Sequence, residues 1–105
     1  MKIEFDKPYL LELYRDGKCS DKKHRFQPDI VRRYQKALTF MKNASSIEVL
    51  MRINSLNYEV LPGDKAGISS VRVNDKYRIE FTVDKNTEEP VLTVCNILEL
   101  TNHYK

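Results

Sequence analysis

The sequence predicts an α+β domain in which helices are gathered before an antiparallel sheet. Two observations lead to this fold class. Apolar residues recur at three- and four-residue spacing in the first half of the chain, and after Asn57 they recur with period two. At 105 residues the chain has the length of a single domain, and no internal repeat or low-complexity linker divides it. We therefore expect one domain over residues 1–105.

The N-terminal stretch predicts a short strand followed by a helix. Ile3 and Phe5 alternate with polar neighbours as strand residues do. Asp6 is the predicted N-cap of a helix that starts about Pro8, and Gly17 is the predicted end of that helix. The apolar side of this helix is formed by Leu10, Leu13 and Tyr14.

A second helix is predicted to begin at Pro28, after a polar, basic connection over residues 18–27 that we expect to be exposed and mobile. Its apolar face consists of Ile30, Val31, Tyr34, Ala37, Leu38 and Met41, and its opposite face carries Arg32, Arg33, Lys36 and Lys42. A short third helix around Ile47, capped by Ser45 or Ser46, should end near Asn54.

Four strands are predicted in the second half, at residues 58–61, 68–73, 77–83 and 91–100. Residues 62–65 form a turn and residues 84–90 a polar loop. The last strand is apolar on both faces, with Leu92, Val94, Leu98 and Leu100 on one and Val91, Cys95 and Ile97 on the other. Such a strand is expected in the middle of the sheet, with neighbours on both sides.

The stretch GISSVRVNDKYRIEF predicts a hairpin whose register follows from parity. The apolar residues of both strands share the buried face only if the loop has an odd number of residues, which Asn74-Asp75-Lys76 provides. This register places Arg72 opposite Arg78 on the other face. Like charges in that position are unfavourable, which leaves two interpretations. Either Glu80 or another acid neutralises them in a surface network, or the two guanidinium groups hold a phosphate-like anion.

Composition limits the class of protein further. No stretch of even ten apolar residues is present, and the first ten residues carry acids where a signal peptide would be apolar, so we expect a cytoplasmic protein without membrane contact. Cys19 and Cys95 do not form a disulfide framework, Cys95 is predicted to be buried, and no further ligands near Cys19 and His24 complete a metal site. Residues 18–36 contain seven Lys or Arg against two Asp, a candidate surface for anions.

The stretch LPGDKAGISSVRVNDKYRIEF resembles the core of HigB-type toxins, which belong to the RelE/ParE superfamily of toxin-antitoxin systems. In that family a Gly-Asp-Arg/Lys-x-Gly turn precedes a strand with Ser, Arg and Asn and a further strand with an aromatic residue and Arg. The likeness extends to PDIVRRYQKALTFMKNA and to the closing LTNHYK, which together cover roughly residues 26–104.

This resemblance implies a RelE-like fold and a toxin that cleaves messenger RNA on the ribosome without a metal or other cofactor. It also implies a HigA-like helix-turn-helix antitoxin, through which alone the toxin meets operator DNA. Two other functions fit the superfamily. One is non-nuclease inhibition of DNA gyrase, as in the ParE branch, and the other is an inactive relative that only binds its antitoxin.

Carried over position by position, the resemblance makes Arg72, Arg78 and His103 the catalytic candidates. Lys65 matches the basic residue of the turn, and Glu59 and Tyr104 are further candidates for contact with the substrate. Ribosomal RNA is assigned to the basic surface formed by Lys22, Lys23, Arg25, Arg32, Arg33 and Lys36. The chain departs from the family at three places. Many relatives carry Asp-Tyr-His where this chain has Thr101-Asn102-His103. Some carry a second histidine at the position of Glu59, and an aromatic residue often stands at the position of Ser69.

Overall fold

The computed structural model of the chain describes residues 1–86 and 92–102. Within these residues, three helices accompany one five-stranded sheet with the strand order β1-β5-β4-β3-β2. The helices are α1 (Pro8–Asp16), α2 (Pro28–Asn43) and α3 (Ile47–Met51), and the strands are β1 (Lys2–Phe5), β2 (Glu59–Val60), β3 (Ser69–Arg72), β4 (Arg78–Asn86) and β5 (Leu92–Thr101). This arrangement confirms the predicted α+β class. The sheet is antiparallel except that β1 runs parallel to β5.

Helix α1 begins and ends where the sequence predicts, but its N-cap residue is different. Gly17 adopts a left-handed conformation with φ of 74°, and its N–H donates to the Leu13 carbonyl at 3.1 Å, which closes the helix. The predicted N-cap was wrong, because Lys7 occupies that position and makes no side-chain cap bond. Asp6 directly follows β1 and is still bonded to β5, since its N–H donates to the Ile97 carbonyl at 2.8 Å.

Helix α2 buries the face that its periodicity predicts, with all six apolar residues of that face in the core. The Tyr34 hydroxyl donates to the Leu10 carbonyl at 2.7 Å and ties α2 to α1. Helix α3 is capped by Ser46, whose Oγ accepts from the Val49 N–H at 3.3 Å. It ends at Met51, three residues earlier than expected. The basic face of α2 is left exposed beside the sheet.

Strand β4 is longer than the sequence predicts. It runs from Arg78 to Asn86, so the expected loop over residues 84–90 was wrong for its first three positions. The remaining positions of that loop, and Val91 at the predicted start of the last strand, lie outside the described residues. Strand β2 is shorter than predicted, with only Glu59 and Val60 paired to β3.

Strand β5 has neighbours on both sides, β1 and β4, which confirms its predicted inner position. Cys95 and Ile97 face the core, and burial raises the pKa of the Cys95 thiol to about 11. The expectation that Leu100 lies on the opposite face was wrong. The register with β4 shifts by one residue between Glu80 and Phe81, and this bulge turns Leu100 back into the core. No helix of the described ranges is long and apolar enough to cross a bilayer.

Candidate functional site

The β3–β4 hairpin places two arginines directly opposite each other, as its parity predicts. Arg72 pairs with Arg78 in register, and the Val73 N–H donates to the Tyr77 carbonyl at 2.9 Å. The same row continues across the sheet, because Arg78 is also opposite Thr101 of β5. This basic row lies at the hairpin end of the sheet.

An acidic row lies beside the basic one on the same face of the sheet. Glu59 pairs with Ser70, Ser70 with Glu80, and Glu80 with Glu99, so three carboxylates and one hydroxyl cross four strands. Residues two apart on a strand share a face, so these side chains are neighbours of the two arginines. The two rows give this face both cations and groups that can accept protons.

Arg78 is held in place by neighbours on two other segments. Only 7% of the residue is exposed. Its Nε donates to Ser70 Oγ at 2.9 Å, and its Nη2 donates to the Asn57 carbonyl at 2.6 Å and to the Ser70 carbonyl at 3.4 Å. A carboxylate oxygen of Glu59 lies 3.8 Å from Nη2. The plane of the guanidinium group is therefore fixed before any ligand arrives.

Asn57 reaches Arg78 through an unusual backbone conformation. With φ of 42° it is the one residue other than glycine that has positive φ within the described ranges. Asparagine tolerates this left-handed region better than most residues. The conformation ends a short 3-10 turn at residues 54–56, after which β2 begins. The carbonyl that binds Arg78 is thus set by a local turn 21 residues before it in the chain.

Lys65 is held by a buried carboxylate of the acidic row. Its Nζ donates to Glu80 Oε2 at 2.8 Å, and the Glu80 side chain is 5% exposed while that of Lys65 is 46% exposed. Glu80 therefore binds Lys65. The sequence had left open whether Glu80 would neutralise the two arginines. We call the group formed by Asn57, Glu59, Lys65, Ser70, Arg78 and Glu80 the Arg78 corner.

Arg72 has a different environment from its cross-strand partner. It is exposed, and its Nη2 is bonded to Asp75 in the hairpin loop. It also lines two neighbouring clefts, both of which include Arg33 and Asp29 of α2. The structure therefore brings Arg72 together with the basic face of α2.

The two clefts form one groove between α2 and the hairpin, which we call the α2–hairpin groove. One cleft has a volume of about 400 Å³ and the other about 680 Å³. The charged residues of the whole groove are Arg25, Asp29, Arg32, Arg33, Lys36, Arg72, Asp75 and Lys76. Asp29 bridges the α2 arginines, at 3.3 Å from Arg32 and 3.2 Å from Arg33.

The residues of the predicted ribosomal RNA surface lie in two places, the α2–hairpin groove and the connection before α2. Arg25, Arg32, Arg33 and Lys36 line the groove, and Arg25 follows a 3-10 turn that holds Lys22 and Lys23 exposed on the same connection. The turn is capped by Asp21, whose carboxylate accepts from the Lys23 N–H and lies 2.7 Å from His24 Nδ1. His24 also stacks on Tyr9 with 3.7 Å between ring centroids.

Two predicted site residues, His103 and Tyr104, lie outside the described residues. Their neighbour Asn102 lines the larger cleft of the groove. The described residues add Ser70, Asn57 and Lys76, none of which was a predicted site residue. Ser70 could have been found from parity, since it shares a face with Arg72 two positions away, whereas Asn57 and Lys76 carried no comparable signal. Among residues 1–86 and 92–102 no three His, Cys, Asp or Glu side chains converge as metal ligands; that no metal is bound stays a prediction.

Comparison with known proteins defines the class that this fold and site represent. Residues 3–93 match the model of the family described as the RelE-like toxin of type II toxin-antitoxin system HigB. The chain belongs to this family of HigB-like toxins. The sequence resemblance is thereby confirmed over most of the chain, and no curated protein adds a further match.

Solved structures show the same fold at low identity. A YoeB/ParE toxin from Agrobacterium tumefaciens is 17% identical, with a TM-score of 0.57 over 99% of this chain and 100% of that one. The YoeB-YefM complex from Staphylococcus aureus is 21% identical, with a TM-score of 0.58 over 99% and 98%. YafQ from E. coli is 11% identical, with a TM-score of 0.60 over 97% and 92%. The chain thus has the RelE-like toxin fold.

Proposed function

We propose that this toxin is an endoribonuclease that cleaves messenger RNA on the ribosome without a metal. Toxins of the RelE, YoeB, YafQ and HigB groups are generally endoribonucleases. The observation in this chain that carries the proposal is the fixed guanidinium group of Arg78, set by Ser70 and Asn57 beside a row of carboxylates. Such a group is suited to a phosphate whose charge increases during the reaction.

The chemistry of the proposed cleavage matches the groups of the Arg78 corner. The 2′-hydroxyl oxygen bonds to the adjacent phosphorus and loses its proton to a base, the bond from phosphorus to the 5′-oxygen breaks, and that oxygen takes a proton from an acid. The products are a 2′,3′-cyclic phosphate and a 5′-hydroxyl. Negative charge accumulates on the non-bridging oxygens, where one preorganised donor contributes about 10²- to 10³-fold in rate. Arg78 supplies that donor.

The remaining roles in the proposal follow the sequence candidates. His103 is the proposed base or acid, since a histidine in this role contributes about 10²- to 10⁴-fold. Glu59, half exposed beside Arg78, is the candidate for the second proton transfer. Lys65, oriented by Glu80, adds positive charge near the substrate, and Tyr104 is the proposed stacking partner of a base. Arg72 contributes to binding from the hairpin.

The proposed partners are a HigA-like antitoxin and the ribosome. A type II system pairs each toxin with a protein antitoxin, and the similar Staphylococcus aureus YoeB was solved in complex with YefM. Ribosomal RNA is the proposed ligand of the exposed basic residues, which are Lys22, Lys23, Arg25, Arg32, Arg33 and Lys36. We further propose that the protein acts in the cytoplasm and that it meets operator DNA only through the antitoxin.

The test is expression of the toxin without its antitoxin, followed by sequencing of transcript 5′-ends. We expect growth arrest and new 5′-ends within translated messengers. Arg78→Lys and His103→Ala should remove both effects, while Arg15→Lys, an exposed arginine of α1, should retain them. New transcript ends that persist in Arg78→Lys would contradict the assignment of Arg78.

Inhibition of gyrase is the alternative function, since the similar Agrobacterium structure is described as a YoeB/ParE toxin. It predicts disturbed supercoiling with no new transcript ends. An inactive relative that only binds its antitoxin predicts normal growth on expression of the wild type.

A further inference from the structure

The α2–hairpin groove concentrates the positive charge of the protein. It contains six Lys or Arg and two Asp, a net charge of +4. The whole chain has 18 Lys or Arg and 15 Asp or Glu, so the other 97 residues carry 12 cations and 13 acids, a net charge of −1. The groove is therefore the anion-attracting surface of an otherwise nearly neutral molecule.

The cations of the groove come from three separate segments. Arg25 belongs to the connection before α2, Arg32, Arg33 and Lys36 to the exposed face of α2, and Arg72 and Lys76 to the hairpin. Arg32 and Lys36 are four residues apart on the helix, which separates their side chains by about 6 Å along its axis. A ligand with charges at regular intervals can contact several of them at once.

The two acids in the groove are weak competitors for an incoming anion. Asp75 is 89% exposed and Asp29 is 56% exposed, and their partners Arg72 and Arg33 are also exposed. Exposed ion pairs contribute little to stability, so a phosphate can replace either carboxylate at small cost. Arginine frequently binds phosphate with two parallel hydrogen bonds, which strengthens its contact with the incoming anion.

The groove also adjoins the Arg78 corner. Asn102 lines its larger cleft and directly follows Thr101, which lies opposite Arg78 in register. Arg72, the other neighbour of Arg78 in the basic row, lines both clefts. A strand of RNA with one phosphate at Arg78 can therefore continue past Arg72 into the groove.

We propose that the α2–hairpin groove binds the sugar–phosphate backbone of single-stranded RNA that flanks the cleaved bond, with Arg33 and Arg72 as its central pair. The proposal rests on the proposed ribonuclease function and changes the role of Arg72. It also makes the messenger, and not ribosomal RNA, the ligand of the groove residues Arg25, Arg32, Arg33 and Lys36, so that Lys22 and Lys23 remain for ribosomal RNA. Arg72 acts in the groove as a binding residue, and Arg78 alone of the hairpin pair contacts the reacting phosphate. The other ligand that suits this charge is an acidic protein segment, and the experiment below separates the two.

The test measures binding of a fluorescent, 2′-O-methylated RNA, which the proposed reaction cannot cleave. A length of roughly 12 nucleotides lies within the range of single-strand binding sites. Fluorescence anisotropy at several salt concentrations gives affinity and salt dependence for the wild type, Arg33→Gln, Arg72→Gln and the double variant. Arg15→Gln is the matched control, because Arg15 is also an exposed arginine paired with a nearby acid, and it lies outside the groove.

We expect each groove variant to bind about tenfold more weakly, the size of effect that one charge-assisted hydrogen bond produces. The slope of log affinity against log salt should become shallower by roughly 0.7 for each lost phosphate contact. Arg15→Gln should bind as the wild type does. Folding of each variant is checked by circular dichroism and thermal unfolding.

Equal weakening by Arg15→Gln and the groove variants would overturn the proposal, because it would show a general charge effect. RNA binding that is insensitive to Arg33 and Arg72 would also overturn it. If the same substitutions then weakened the binding of an acidic peptide, the groove would be identified as the site of a protein ligand. Loss of binding in the groove variants, with no cleavage of unmodified RNA by the wild type on ribosomes, would support the groove and count against the ribonuclease function.

Discussion

Arg72 and Arg78 face each other across one hairpin, yet their surroundings differ in almost every respect. Arg78 is buried and bonded to Ser70 and to the Asn57 carbonyl. Arg72 is exposed and bonded to Asp75, a residue that is itself almost fully exposed. The register places both residues on one face, and the neighbouring strands decide which of them becomes fixed. Glu59 of β2 and Asn57 just before β2 contact Arg78, whereas Arg72 lies at the end of β3 next to the groove.

For the proposed ribonuclease function, the difference separates two tasks that such an enzyme needs. A group that stabilises charge in the transition state works best when it is held in place before the reaction. A group that binds a variable, flexible polyanion needs access and charge more than fixed orientation. Arg78 meets the first requirement and Arg72 the second.

The largest expected effect comes from changing each arginine to lysine, which keeps the charge and removes the planar fork. For Arg78→Lys we expect kcat to fall about 10²- to 10³-fold. For Arg72→Lys we expect kcat to be retained and KM to rise, since a contact equal in ground and transition states affects binding alone. Single-turnover cleavage of a ribosome-bound messenger, measured across toxin concentrations, separates the two parameters. An equal loss of kcat in both variants would show that both arginines act on the reacting phosphate.

A smaller effect is expected on folding stability. Arg78→Ala removes the charged donor from the buried Ser70 hydroxyl and from the Asn57 carbonyl, so the free energy of unfolding should fall by about 1–3 kcal/mol. Arg72→Ala removes an exposed ion pair and should change it by less than about 0.5 kcal/mol. Urea denaturation measures both, with Arg15→Ala as an exposed control. Similar losses for Arg72 and Arg78 would mean that burial does not distinguish them.

The sequence was sufficient for the features that depend on local periodicity. Parity in two strands determined that Arg72 lies opposite Arg78, because a slip of one residue would expose Val71 and its neighbours. The buried face of α2 followed from three- and four-residue spacing in the same way. Each of these patterns extends over many residues, so one residue that departs from it does not change the predicted face.

The features that the sequence did not predict depend on distant parts of the chain. Asp6 does not cap α1, because Lys7 occupies the cap position, and the Asp6 N–H is bonded to Ile97, about ninety positions later in the chain. Leu100 changes face because of a bulge that only pairing with β4 produces. The same holds for the site, since burial of Arg78 depends on the Asn57 turn, and periodicity in the hairpin carries no information about it.

The connection before α2 extends the comparison, because a 3-10 turn held by Asp21 directly precedes Arg25, which lines the open groove. The pKa of Asp21 is lowered, first by the hydrogen bond with the His24 side chain and then by the Lys23 backbone N–H. A carboxyl group whose pKa is lower in the folded than in the unfolded state stabilises the fold above its unfolded pKa, about 3.9 for Asp. That contribution is lost as pH falls through the folded pKa.

The smallest expected effect is therefore a difference between wild type and Asp21→Asn that depends on pH. The amide of the variant can still accept from the Lys23 N–H, but it carries no charge. At about pH 5 the wild type should be the more stable, and the difference should shrink below roughly pH 4 as Asp21 becomes protonated. Urea denaturation at several pH values measures it, with Asp84→Asn, at an exposed position of β4, as a control. A difference that stays constant down to pH 3 would show that the charge of Asp21 does not hold the turn, and Arg25 would then depend on other contacts for its place in the groove.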